Sequence, residues 1–182
     1  MPTLRPILCP FFNGLLAILA FLVTTPPAAA HIEEGNMPDG IAQVEYRILL
    51  EFEPDNIAVR NKLGMVYYRL GKLDAAAEQF QAVLARDPKN FNAIDALGLV
   101  ALKRGRPAEA LARFQKAITM NPADTMVYLH LGEALEQLHR PEEARAAYEK
   151  ARANLAAEPA SSSKADRARQ IEERLRRITG GP

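Results

Sequence analysis

Gly64, Gly98 and Gly132 stand one every 34 residues, and residues of quite different chemistry keep the same step. Ala76, Ala110 and Ala144 keep it, as do Phe80, Phe114 and Tyr148. So do Pro54, Pro88 and Pro122, and the polar set Asn56, Asn90 and Asp124. A fixed period of this length excludes most folds. Each copy must bury its apolar face against the next, and the architecture that does this is a stacked helical array. With 182 residues in all, the chain can hold one domain with a real core.

Within a unit the pattern splits into two apolar-periodic halves, Ile57 to Leu70 and Leu73 to Ala85 in the first copy. Asn56, Asn90 and Asp124 precede the first half, where a short polar side chain can accept from the orphan N–H groups of a first turn. Pro54, Pro88 and Pro122 lie where the preceding helix must stop. Gly71 and Gly105 fall between the halves, at the place for a left-handed helix end. The third unit has His139 there, a residue that tolerates positive φ better than most. Pro107 and Pro141 then suit the first position of a new helix. A glycine inside a helix costs ~1 kcal/mol against alanine, so Gly64, Gly98 and Gly132 call for close helix approach. We expect Ala76, Ala110 and Ala144 opposite them, with the aromatics filling the gap to the neighbouring unit.

At these residues the sequence resembles the tetratricopeptide repeat (TPR) family, from Ile57 to about Ala157. The small residue at place eight of the unit is Gly64, Gly98 and Gly132, preceded by Leu63, Leu97 and Leu131. The alanine of place twenty is Ala76, Ala110 and Ala144, and the aromatic of place twenty-four is Phe80, Phe114 and Tyr148. Place four departs, with Arg60 and Ile94 before Tyr128, and Ala156 stands where a closing proline is usual. The second helix of the third unit is therefore expected to run on to about Glu158. The resemblance implies an all-α, right-handed α-solenoid of three TPR helix pairs over 57–90, 91–124 and 125–158. A half-repeat helix over 41–56 precedes them, and a C-terminal capping helix over 164–179 follows a linker at 159–163.

Met1 to Ala30 has the pattern of a secretory signal peptide. Arg5 is its one charge, Phe11 to Val23 its apolar run, and Ala28, Ala29 and Ala30 supply small residues at a cleavage site. The run is shorter than the ~20 residues that span a bilayer, so no stable membrane span is expected after cleavage. Cys9, the one cysteine, lies in this segment, and the remaining chain needs no disulfide. Losing Arg5 would take Lys+Arg from 23 to 22 against 22 Asp+Glu. That balance offers no basic excess for nucleic acid. Such a leader on a cysteine-free TPR chain resembles an exported bacterial protein of the periplasm.

Residues 31–40, with Gly35, Pro38 and Gly40, read as a flexible lead-in. Ile41 to Glu53 reads as a helix capped by Asp39, with Ala42, Tyr46 and Leu49 in phase with Ala76, Phe80 and Val83. It would be a second helix without a first, covering the apolar end of the stack. At the other end, Ala165, Ala168, Ile171, Leu175 and Ile178 share one helix face, with Ser163 as the cap. The outer face would carry Arg167, Arg169, Arg174, Arg176 and Arg177 as a solvated surface.

Chemistry is scarce. No Cys/His cluster has metal spacing, and His130 with Glu133 at i, i+3 does not make a site alone. No triad motif or phosphate loop appears. The reading is a non-catalytic scaffold without a cofactor. The resemblance places its peptide contacts at Asn61, Met65, Tyr68 and Arg69 in the first unit. In the second they are Asn92, Asp95, Leu99, Leu102 and Lys103. In the third they are Met126, Leu129, Glu133 and Glu136. Met65, Leu99 and Glu133 stand where a chaperone carboxylate clamp needs asparagine, so that ligand is not expected. An apolar strip bordered by charge suits a peptide or amphipathic helix of an envelope protein. Two alternatives stand beside it: an accessory subunit of an envelope maturation system such as cytochrome c biogenesis, and a self-associating scaffold.

Overall fold

The computed structural model describes residues 37–180. The signal segment and the first part of the lead-in lie outside the described residues. Eight helices and no strand occur among the described residues. They are α1 (Asp39–Phe52), α2 (Ile57–Arg69), α3 (Leu73–Arg86), α4 (Phe91–Lys103), α5 (Pro107–Met120), α6 (Thr125–Gln137), α7 (Pro141–Ala157) and α8 (Ser162–Ile178).

Local chemistry sets the boundaries. Asn56, Asn90 and Asp124 each accept a hydrogen bond from the backbone N–H three residues on, at Val59, Ala93 and Val127, over 3.0–3.1 Å. The first helices end where Gly71 (φ 74°), Gly105 (φ 69°) and His139 (φ 57°) turn left-handed. α7 runs for 17 residues against 14 in α3 and α5, because no proline stops it. Two caps differ from expectation. Ser161, not Ser163, accepts from the Lys164 N–H, so α8 starts earlier. Asp39 lies inside the first turn of α1 and reaches away to Arg69, leaving Pro38 at a cap without a side-chain bond.

The glycines have a different nearest neighbour from the one expected. A Cβ on Gly98 would stand 2.3 Å from the Phe114 ring, one on Gly132 2.3 Å from Tyr148, and one on Gly64 2.6 Å from Phe80. The ring of the unit's own second helix is the group nearest each glycine. These rings are almost wholly buried, and each contributes roughly 1.5–3 kcal/mol by leaving water. Tyr148 carries a hydroxyl where the other units have Phe, and that oxygen is buried without a hydrogen-bond partner. Burial pushes the Tyr148 hydroxyl well up, and the nearby Glu136 carboxylate adds to it.

Consecutive helices pack in order from α1 to α8. The first helices also approach their neighbours, α2 to α4 and α4 to α6, more closely than the second helices approach theirs. The stack therefore curves towards the first helices, which form its inner wall.

Candidate functional site: the inner wall

Side chains on the inner wall divide into two kinds. The first kind joins one unit to the next. The Asn61 amide donates to Asn90 Oδ1 over 3.3 Å. Lys103 Nζ lies 4.5 Å from the centre of the Tyr68 ring and donates to the Tyr68 carbonyl over 3.0 Å. Asp95 meets His130 Nδ1 at 3.0 Å. Arg174 of α8 donates to Glu133 (2.6 Å) and to Glu136 (3.0 Å), and Arg177 reaches Glu136 at 3.5 Å. Arg69 is held by Asp39 through two bonds of 2.8 and 2.6 Å.

Places five and twelve of the unit thus face the following first helix. Two of the expected contact residues are buried. Leu129 is fully buried in a cluster with Ile171 and Leu175 of α8. Leu102, 7% exposed, is buried with Val127 and Ala134 of α6. The second kind remains open: Met65, Leu99 and Met126 are half-buried and flank the core, while Asn92 is exposed with no hydrogen bond among the described residues.

The electrostatics follow from the joints. Burial disfavours a charged His130, but the Asp95 hydrogen bond and charge, with Glu133 and Asp124 behind it, outweigh that and hold the imidazole above its ordinary value. The Tyr68 hydroxyl is pushed up, first by burial and then by the Glu133 and Asp95 carboxylates. Residues of all three units therefore sense one another across this wall. His130 was not among the expected site residues. The signal that could have found it is its separation of 35 from Asp95, one residue more than the period. The basic face of α8 is also less free than its sequence suggests. Arg167 pairs with Glu158, Arg169 with Asp166, and Arg174 and Arg177 with α6. Only Arg176 of that set has no ion pair among the described residues.

Among the described residues no group of His, Cys, Asp and Glu is placed to hold a metal ion, and no helix is long and apolar enough to cross a membrane. The arrangement is that of a helical-repeat scaffold whose inner wall presents an apolar centre between charged margins. Two tetratricopeptide repeat family models match the chain, over residues 55–123 and 96–159, together more than half of it. The chain belongs to the tetratricopeptide repeat family. PcrH from Pseudomonas aeruginosa is similar at 26% identity, with 69% of this chain and 92% of that one covered and a TM-score of 0.63. PcrH in complex with the chaperone binding region of PopD is similar at 25% identity, with 70% and 93% covered and the same TM-score. A thermophilic TPR protein of Thermus thermophilus shares the fold at 19% identity, with 77% and 72% covered and a TM-score of 0.64. A comparison with curated proteins gives no match.

Proposed function

We propose that this chain is a non-catalytic scaffold that holds an extended or helical segment of a cell-envelope protein against its inner wall. The observation that carries the reading is the open set Met65, Leu99 and Met126, one from each unit, left half-buried while their neighbours on the wall are paired. Methionine and leucine on a curved wall adapt to an apolar partner, and apolar patches on a protein surface mark interaction sites. The similar PcrH has been solved with a segment of another protein, which fits the same use of the fold. Export to the periplasm is part of the proposal and is supported by the leader pattern of Met1 to Ala30.

The test is crosslinking in cells from a photoreactive residue at Asn92, exposed on the same wall, with mass spectrometry of the protein captured by the parent and by a Met65→Glu, Leu99→Glu double variant. Two buried-edge charges should reduce capture at least ~10-fold, since each exposes a carboxylate to an apolar ligand. Equal capture by the variant would overturn the reading. Cell fractionation and the mass of the recovered chain test the export clause separately.

A further inference from the structure

The end of the stack formed by α1 carries the most exposed apolar surface among the described residues. Ile41, Val44, Ile48 and Phe52 are 56%, 53%, 48% and 80% exposed. Their spacing of three, four and four places them along one face of the helix. Ala42, Tyr46 and Leu49, on another face, turn inwards.

Other units show what this face is for. One period on, the same places are Ala75, Glu78, Ala82 and Arg86; two periods on, they are Glu109, Ala112, Lys116 and Met120. In the array these places look back at the second helix of the preceding unit. Glu109, Ala112 and Lys116 line a groove with Leu84 of α3, and Glu143, Ala146 and Lys150 line one with Leu111 and Gln115 of α5. Small and polar residues suffice in those grooves. α1 alone has four large apolar residues at these places. Its face is shaped for a helix lying where a preceding second helix would lie.

We infer that the occupant is α1 of a second copy of this chain, paired antiparallel about a two-fold axis. Of the six large hydrophobic side chains exposed among the described residues, four form this stripe; the others, Leu70 and Met120, stand apart. Among its described residues a second copy therefore has only its own stripe to offer, which is the condition for a closed, isologous contact. Antiparallel pairing sets Phe52 against Ile41 and Val44 against Ile48. It also brings Glu51, which has no ion pair among the described residues, opposite the first turn of the other helix. That turn has no capping side chain, and a Cβ added at its Gly40 would meet nothing within 4 Å. The Ile41 and Ala42 N–H groups donate to the Pro38 carbonyl and Asp39 of this turn is held by Arg69, so a carboxylate there meets the Gly40 N–H and the positive end of the helix dipole. Parallel pairing would instead gather both acidic ends, Glu51, Glu53 and Asp55, together. A membrane surface is disfavoured as occupant because Glu45 and Glu51 border the stripe and are repelled by anionic lipid.

Sedimentation velocity of the purified full chain over a concentration series tests this. A monomer–dimer equilibrium is expected, and Ile48→Glu or Phe52→Glu should abolish the dimer while leaving the circular dichroism spectrum and melting of the dilute chain unchanged. Glu51→Gln should weaken the dimer about four- to 25-fold, since the two-fold axis removes two helix-end charges, each worth about two- to fivefold. Glu45→Gln should tighten it, since Glu45 approaches its own counterpart near the axis. A monomer at every concentration overturns the inference, as does a dimer that both stripe variants leave intact. Stripe variants that lose binding to anionic phospholipid vesicles without any effect on self-association would overturn it in favour of a lipid surface.

Discussion

The two ends of this stack are closed in opposite ways. α8 buries Ile171 and Leu175 against the third unit and turns Arg174 back onto Glu133 and Glu136. What it shows to solvent is charged. α1 buries little beyond Ala42 and shows the solvent Ile41, Val44, Ile48 and Phe52. The helix expected to cover an apolar end does lie over α2, yet it carries a new apolar face of its own. A terminal repeat thus closes an array only if its outer face is polar. Having the right phase on the inner face is a separate property.

The largest test of this contrast is a pair of truncations of one residue type. Ile171→Ala in α8 should cost about 2–5 kcal/mol in denaturant unfolding, because it empties a filled site. Ile48→Ala in α1, measured on the dilute chain, should fall within about 0.5 kcal/mol of the parent. Equal losses would show that the first helix is packed as firmly as the last. A smaller effect comes from alanine at two glycines. Gly98→Ala gains ~1 kcal/mol of helix propensity but drives a methyl into Phe114, and overpacking of this kind costs about 1–3 kcal/mol, so a net loss is expected. Gly40→Ala in α1 meets nothing and should be neutral or stabilising by up to ~1 kcal/mol. A stabilised Gly98→Ala would mean that the rings move aside.

The smallest expected effect is in pH dependence, and it separates the middle of the stack from its open end. His130 is raised in the folded chain, so its pairing with Asp95 contributes fully below the unfolded value near 6.5 and is lost as pH rises through the raised value. Asp39 is lowered by its hydrogen bond to Arg69, so its contribution is present above the ordinary carboxylate value of 3.8 and is lost as pH falls. Unfolding of the parent and of Asp95→Asn should therefore diverge most below the unfolded value near 6.5 and converge as pH rises through the raised one. Arg69→Met should leave that window unchanged. A parent and Asp95→Asn that run parallel throughout would remove the pair as a coupling between units.

Much of the fold could be read from spacing. Polar caps at Asn56, Asn90 and Asp124, and left-handed ends at Gly71, Gly105 and His139, are local chemistry that repeats with the period. The inner wall was less legible. Place five is Asn61, Asp95 and Leu129, and place twelve is Tyr68, Leu102 and Glu136. Sequence puts each set on one side of a helix, but whether a member binds a ligand or locks a joint depends on the residue opposite. For Leu129 that residue belongs to α8, far along the chain. The stripe on α1 was detectable in principle, by setting Val44 and Ile48 beside Glu78 and Lys116.

By itself the sequence determined a three-unit TPR stack, because caps, turns and glycine clearances depend on neighbours at fixed, short separations along the chain. Tertiary structure alone decided that Leu102 and Leu129 are core and that Arg174 serves a joint. A periodic pattern sets the direction in which a side chain points. What stands in its path is set by the packing of a different helix.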